Sequence, residues 1–210
     1  MGVLLQFPEY VTFRTRTNER KGKIVAVPAE PSAIEAEDLS PIEAISEAIA
    51  TVHSALEGDL LSKIIEQPPV FLERLVLRLL TRMGYGGLAG DGIHLGGPHD
   101  AGLDGLIRLD TLGLDVVYVQ AKRYTDQAVG RPEIQAFVGA LHGAQASRGV
   151  FITTNRFTQD ARTYADRVNA RLVLIDGQQL ARLMIEYDCG VVTQESFTLK
   201  QLDENFFGEP

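Results

Sequence analysis

Residues 116–122 of the chain read Val-Val-Tyr-Val-Gln-Ala-Lys, and this stretch decides the fold. The run is β-branched and aromatic, which predicts a buried strand. Side chains alternate between the two faces of a strand, so Tyr118, Gln120 and Lys122 share one face. Because an amide and an ammonium group are costly to bury at the end of an apolar strand, we expect a neighbouring group to use them.

A carboxylate suited to that purpose precedes Gln120 by fifteen intervening positions. Asp104 lies in the glycine-flanked run Asp100-Ala-Gly-Leu-Asp-Gly105. If a neighbouring strand presents Asp104 on the same side, a carboxylate, an amide oxygen and an ammonium group converge on one spot. Such a set suits a divalent metal ion beside a phosphodiester. The alternative is that Asp104 is a turn residue, and that Gln120 and Lys122 simply reach solvent from the strand end.

Length and composition indicate a folded protein with one sizeable domain and an appendage in its 210 residues. Hydrophobic residues make up 45% of the chain, which argues against disorder. A single cysteine, Cys189, excludes internal disulfides and zinc clusters of the Cys-x-x-Cys kind, so a cytoplasmic location is expected. No apolar run approaches the roughly 18 residues that span a bilayer, and no basic-then-apolar leader opens the chain, so we expect no membrane partner.

The net charge of −8 is unevenly distributed. Residues 1–27 carry five basic and two acidic side chains, a net of +3. Residues 28–66 carry nine acids against Lys63 alone, a net of −8, and the remaining fourteen basic and seventeen acidic residues give −3. Since most of the acidity belongs to one connecting segment, the overall charge is a poor argument against a nucleic-acid partner.

Four regions follow from the pattern of prolines, glycines and apolar residues. Residues 1–40 predict short strands forming a basic β-hairpin, followed by an acidic linker. Residues 41–66 predict connecting helices that begin at Ser40-Pro41 and are interrupted at Gly58; the first carries an apolar stripe at Ile42, Ile45, Ile49, Val52 and Leu56. Residues 67–195 predict the main domain, and residues 196–210 a C-terminal tail.

The main domain shows an alternation of helical and strand patterns. The first expected element is helix Phe71–Met83, and a short strand near Ile93 follows it. The later expected elements are, in order, strands Asp104–Leu109 and Leu114–Lys122, helix Arg131–Gln145, strand Gly149–Thr153, helix Gln159–Val168, strand Arg171–Ile175 and helix Gln178–Tyr187. This order predicts an α/β fold with a mixed central sheet flanked by helices.

Several blocks of the sequence, in this order, resemble the Mrr family of restriction endonucleases within the PD-(D/E)xK nuclease superfamily. They are Phe71-Leu-Glu-Arg-Leu-Val76, Met83-Gly-Tyr-Gly-Gly87, Asp100-Ala-Gly-Leu-Asp-Gly105, Gln120-Ala-Lys-Arg-Tyr124, Val129-Gly-Arg-Pro-Glu-Ile-Gln-Ala-Phe-Val-Gly139, Gly149-Val-Phe-Ile-Thr-Thr154 and Leu174-Ile-Asp-Gly177. The resemblance covers roughly residues 41–195. It implies a restriction-endonuclease-like core and a Mg²⁺-dependent DNA endonuclease, with Mn²⁺ as a substitute metal and a type IV restriction-like role on double-stranded DNA.

The resemblance assigns roles to the residues singled out above. Asp104 would be the central metal ligand, Gln120 would offer its amide oxygen to the metal or orient a water molecule, and Lys122 would position or deprotonate the attacking water. Gln120 fits the family, although most of the superfamily has Glu or Asp there. Because an amide brings no charge, a further acid is expected to compensate, and Glu73 on the first helix is the candidate; the alternative is an exposed helical glutamate.

Further side chains near the same edge are candidate DNA contacts, each with an ordinary structural alternative. Gln135 is expected to face inward from its helix, or else to lie on the helix surface. Thr153 and Thr154 would hold a phosphate or cap the next helix. The arginines that would contact phosphates, or simply be solvated, are Arg123, Arg131 and Arg156.

Alternative functions and the state of assembly stay open at this point. The same core would also suit a repair or junction nuclease, or a non-catalytic DNA-binding module. Family members usually begin with a longer winged-helix domain, and residues 1–40 look like its wing and last strand, so a remnant or a replacement is expected. A homodimer or higher homo-oligomer is expected, because one such site cuts one strand and a double-strand break needs two sites.

Overall fold

The computed structural model describes residues 40–86, 92–95, 102–110 and 112–208. The predicted basic hairpin and the acidic linker before Ser40 lie outside the described residues. Residues Ile45–Pro210 form one compact unit. In the described part of the chain, no helix is both long and apolar enough to cross a membrane.

Six helices and five strands make up the described fold. In chain order they are α1 Pro41–Glu66, α2 Pro69–Arg82, β1 Ile93–His94, β2 Gly105–Arg108, β3 Val116–Lys122, α3 Arg131–Gly143, β4 Arg148–Thr153, α4 Gln159–Arg167, β5 Arg171–Ile175, α5 Gly177–Glu186 and α6 Glu204–Gly208.

The strands form one mixed sheet in the order β1-β2-β3-β4-β5. The pairs β1–β2 and β2–β3 are antiparallel, whereas β3–β4 and β4–β5 are parallel. Helices cover both faces, because parallel neighbours need helical crossovers that pack on the sheet. The predicted α/β fold with a mixed sheet and flanking helices is confirmed.

Two apolar layers hold the helices against the sheet, one on each face. In the first, Val119 and Ala121 of β3 share a core with residues of α1, α2 and α5, including Val76 and Leu180. In the second, Phe151 of β4 packs with residues of α3 and α4. The alternation of β3 side chains therefore follows the period of two read from the sequence.

Helix α1 differs from the prediction in its length. Its start is as expected: the Ser40 N–H donates to Glu43 Oε2 at 2.7 Å and Ser40 Oγ accepts from the Glu43 N–H at 3.3 Å, which is a capping box. The predicted interruption at Gly58 is wrong, because the helix continues to Glu66. One helical glycine costs only about 1 kcal/mol, and the burial of Leu60 and Ile64 after it offsets that cost.

The turn between β2 and β3 is wider than predicted, which shortens both strands. Asp110 builds this turn: its carboxylate accepts hydrogen bonds from the N–H groups of Leu112, Leu114 and Asp115 at 2.7, 3.3 and 2.5 Å. These donors favour the charged carboxylate and hold the pKa of Asp110 below its ordinary value. The turn fixes where β3 begins and hence which residues reach its far end.

Candidate active site

The carboxyl end of β3 extends past the last paired residue of β2. The β2–β3 ladder stops at Gly105 opposite Val119, whereas on the other side β3 stays paired with β4 as far as Lys122 opposite Thr153. Gln120 and Lys122 therefore lie where one side of β3 has lost its regular partner strand. Asp104 occupies this opening.

Three hydrogen bonds fasten Asp104 in place. Its N–H donates to the carbonyl of Val119 at 2.9 Å, and its carbonyl accepts from the N–H of Leu95 at 3.0 Å. The carboxylate oxygen Oδ2 accepts from the N–H of Ala121 at 2.7 Å. Because both main chain and side chain are bound, the carboxylate is held against the β3 end with little freedom to turn away.

The electrostatic surroundings of Asp104 oppose its ionisation. Burial raises its pKa above the ordinary value, and the nearby charge of Glu73 acts in the same direction. The Ala121 N–H, Lys122 and His94 act against that rise, without cancelling it. A carboxyl group whose pKa is shifted by burial and by a nearby charge is a candidate for a functional site.

Glu73 and His94 form the second pair of the site. Glu73 is on α2 and His94 is on β1, and His94 Nε2 lies 2.7 Å from Glu73 Oε2. Both side chains are largely buried, with 22% of Glu73 and 29% of His94 exposed. The role of Glu73 beside Asp104 stays a prediction, and its contact with His94 was not predicted, because the two residues are 21 positions apart in the chain.

Gln120 is buried with an unsatisfied oxygen. The residue is 8% exposed, and its Oε1 has no hydrogen-bond partner among the described residues. Gly102, in the segment leading to Asp104, lies against the same amide: a Cβ there would be 3.2 Å from Gln120 Nε2. With φ at +86°, Gly102 holds a conformation that favours glycine. A buried amide oxygen without a partner costs about 1–3 kcal/mol, a cost that a bound cation or a water molecule would offset.

The donor set fits a hard, oxygen-seeking ion such as Mg²⁺ only if the amide takes part. Within the described ranges, no three His, Cys, Asp or Glu side chains are grouped so that they could hold one metal ion. The Oε1 atom of Gln120, which has no hydrogen-bond partner among the described residues, would supply an oxygen ligand, and Mg²⁺ prefers oxygen and usually keeps several waters. Lys122, half-buried beside these groups, adds the positive charge.

Three of the predicted DNA contacts are engaged within the protein. The Nη1 atom of Arg123 donates to the carbonyls of Ile65 and Gln67, both at 2.6 Å. Thr154 is buried, and its Oγ1 accepts from the Tyr124 N–H at 2.9 Å and donates to the Tyr124 carbonyl at 2.8 Å. The Oγ1 of Thr153, which is fully buried, accepts from the Asn155 N–H. The helix that follows is capped by Thr158, so neither predicted threonine caps it.

The other three predicted contacts lie on the surface. Arg131 opens α3 and is exposed; it lies 3.7 Å from Asp160 and over the ring of Tyr164 at 5.0 Å. Arg156 is exposed after β4. Gln135, expected to face inward, is instead exposed, because the buried face of α3 is formed by residues such as Ile134 and Phe137.

Among the described residues, a carboxylate, an amide oxygen without a hydrogen-bond partner and a lysine lie at one strand end of a mixed sheet. The restriction endonuclease family model Mrr_cat matches residues 65–184. The chain is also 45% identical, over 168 residues, to the type IV methyl-directed restriction enzyme EcoKMrr of Escherichia coli K12. The chain therefore belongs to the Mrr-type restriction endonuclease family.

The length of these relatives sets a limit on the comparison. The match covers 80% of this chain and 54% of EcoKMrr, so the chain spans about half the length of that enzyme. Among solved structures, the DNA modification-dependent restriction endonuclease AspBHI is similar at a TM-score of 0.51, with 18% identity over 80% of this chain and 41% of AspBHI. The MspJI restriction endonuclease in complex with a 27-mer oligonucleotide has a TM-score of 0.46, with 22% identity, 76% of this chain and 35% of MspJI covered. The likeness to AspBHI supports the fold.

Proposed function

We propose that residues 67–195 form the catalytic domain of a Mg²⁺-dependent endonuclease that hydrolyses phosphodiester bonds in double-stranded DNA, with a type IV restriction-like role. The observation that carries this proposal is the buried Oε1 of Gln120, which has no hydrogen-bond partner in the described ranges, at the strand end where the Ala121 N–H holds the carboxylate of Asp104. An amide oxygen left without a partner in the core is retained at a cost, and a divalent ion is the ligand that offsets it.

Each side chain then has a definite task. Asp104 and Gln120 hold the ion, with Mn²⁺ as the substitute for Mg²⁺, and the bound ion supplies charge neutralisation and a more acidic water. Glu73 brings the second negative charge that Gln120 lacks. Lys122 presents its ammonium group to the phosphate and the attacking water, where it offsets the charge that develops in the transition state.

Contacts with the DNA backbone divide into two groups. We assign phosphate binding to the exposed side chains of Arg131, Gln135 and Arg156. Arg123 and the two threonines act one step away, because their hydrogen bonds fix the strand end that carries Lys122. Phosphate contacts of this kind position DNA without reading its sequence.

A plasmid-nicking assay with Mg²⁺ tests the proposed function. Asp104→Ala and Lys122→Ala should each lower cleavage at least a hundredfold, because each removes a group acting on the transition state. DNA binding and folding should remain. The matched controls Asp166→Ala and Lys200→Ala alter exposed residues on α4 and in the C-terminal tail and should cleave normally.

Three results would contradict the proposal. Wild-type nicking rates in either site variant would remove the assigned site. DNA binding without any cleavage by the wild-type protein would instead favour a non-catalytic DNA-binding module. Cleavage confined to branched substrates would favour a junction nuclease. Since EcoKMrr is named as methyl-directed, the plasmid is used in methylated and unmethylated forms.

We also propose that the active protein is a homodimer. The side chains of Ile45, Ile49 and Val52 on α1 are 38%, 42% and 64% exposed, and their spacing of four and three residues is that of a helix–helix seam. The positions flanking this seam are Ser46, Ala48, His53 and Ala55, none of which is acidic, so two copies of this acidic helix can pair without bringing acids face to face.

Light scattering with and without DNA tests the dimer. Ile49→Glu should shift the protein towards the monomer and lower double-strand cutting more than nicking, because nicking needs one site only. Wild-type protein that stays monomeric on DNA while making double-strand breaks would refute the homodimer.

A further inference from the structure

We propose that His94 is a positioning residue that acts through Glu73 and sets the affinity of the site for its divalent ion. This inference rests on the proposed function, because it assigns His94 to the same metal-dependent site. His94 is not among the site residues predicted from the sequence. Its contact with Glu73 joins β1 to α2 across 21 positions of the chain.

The 2.7 Å separation of His94 Nε2 and Glu73 Oε2 is short for a nitrogen–oxygen pair. An ionised carboxylate only accepts hydrogen bonds, so the tautomer of His94 with a proton on Nε2 is the one that donates to Glu73 Oε2. A hydrogen bond to a charged acceptor, with both partners largely shielded from solvent, is of the stronger kind.

The hydrogen bond from His94 restrains the carboxylate of Glu73. A glutamate has three rotatable side-chain bonds, and on a helix surface its carboxylate would sample several rotamers. His94 takes one of the two oxygens and so limits the positions of the other. The restraint works because β1 is itself fixed to the site: His94 is paired with Gly105, and the next residue, Leu95, donates to the carbonyl of Asp104.

The same contact also places the negative charge of Glu73 relative to Asp104. His94 is paired with Gly105, the residue that follows Asp104, so its contact with Glu73 brings that carboxylate to the strand beside Asp104. Two carboxylates close together repel one another unless donors or cations intervene. By binding the Glu73 carboxylate, His94 keeps a second acid near Asp104 in the absence of the ion, which preorganises the site for binding.

The test measures Mn²⁺ binding by calorimetry on the full chain without DNA, alongside Mg²⁺-dependent nicking. His94→Ala should weaken Mn²⁺ binding about tenfold, in line with the loss of one charge-assisted hydrogen bond. His94→Gln, which keeps an N–H donor, should recover most of that loss. The affinity for DNA in EDTA should not change, and His142→Ala, an exposed histidine on α3, should behave as wild type.

A double-mutant cycle shows whether His94 works through Glu73. In a Glu73→Ala background, His94→Ala should cause no further loss of Mn²⁺ affinity. Unchanged Mn²⁺ affinity in His94→Ala, or an equal loss with and without Glu73, would overturn the assignment. Thermal unfolding identifies a variant that fails to fold, in which case His94→Phe, which keeps a ring but has no N–H donor, replaces His94→Ala and should show the same loss of Mn²⁺ affinity.

The two proposals fail in different ways. A wild-type protein that binds Mn²⁺ but cuts no DNA would refute the endonuclease and leave the role of His94 to the binding data. A wild-type protein that cuts DNA while His94→Ala binds Mn²⁺ normally would refute only the role of His94. No Mn²⁺ binding by the wild-type protein would overturn both.

Discussion

Replacing Gln120 by methionine should make the metal-free protein more stable. The side chain is 8% exposed and its Oε1 has no hydrogen-bond partner in the described part of the chain. An unsatisfied buried polar atom costs about 1–3 kcal/mol, whereas a swap to an apolar side chain of similar volume costs less than about 1.5 kcal/mol. We expect a net gain of about 1 kcal/mol, which is a rise in melting temperature of about 2–4 °C for a domain of this size.

The same substitution should abolish the response to the ion. At a Mg²⁺ concentration ten times the dissociation constant, binding should stabilise the wild-type protein by about 1.4 kcal/mol. The Gln120→Met protein has lost the ligand and should gain little. Its advantage in EDTA should therefore shrink or reverse in Mg²⁺, and cleavage should be lost.

Calorimetric melting in EDTA and in Mg²⁺ measures both effects. The control is Gln178→Met on α5, where the glutamine is exposed and no gain is expected. A lower melting temperature for Gln120→Met in EDTA would mean that the amide oxygen is satisfied without the ion. Equal stabilisation of both proteins by Mg²⁺ would mean that Gln120 is no ligand.

Two further predictions concern pH and packing. The raised pKa of Asp104 means that the folded protein holds the carboxyl proton more tightly than the unfolded chain does, so in EDTA stability is lost as pH rises from about 3.8 through the raised value. The free energy of unfolding of the wild type relative to Asp104→Asn, measured with denaturant, should therefore fall over that pH range. A difference that does not change with pH would contradict the raised pKa. A Cβ at Gly177 would overlap the carbonyl of Thr154, so Gly177→Ala should lower the free energy of unfolding by about 1–3 kcal/mol and disturb the strand end near the site. Urea unfolding measures this loss, with Gly139→Ala as the control because a Cβ at Gly139 meets open space. Equal stabilities of the Gly177→Ala and Gly139→Ala proteins would refute the prediction.

Local patterns predicted much of the fold correctly. The bounds of β5 agree with the prediction, and the capping box at Ser40 marks the start of α1 because the side chains involved are three residues apart. The continuation of α1 past Gly58 was not predictable in this way. It depends on the burial of Leu60 and Ile64 against residues distant in sequence, and such packing overrides a local helix breaker.

The site shows the same division between local and distant information. The shared face of Gln120 and Lys122 follows from strand alternation alone. The Glu73–His94 contact spans 21 positions and depends on a strand of two residues, which has no readable period. The use of Arg123 was equally hidden, because its partners are main-chain carbonyls that any residue at positions 65 and 67 would offer.

The hydrogen bonds of Arg123 join the end of α1 to the end of β3. With 26 residues, α1 is about 39 Å long. Arg123, one position after Lys122, donates to the carbonyl of Ile65 in the last turn of α1 and to the carbonyl of Gln67 just beyond it. Because Arg123 directly follows Lys122, the same two hydrogen bonds set the position of the end of α1 and the position of the strand end that carries Lys122.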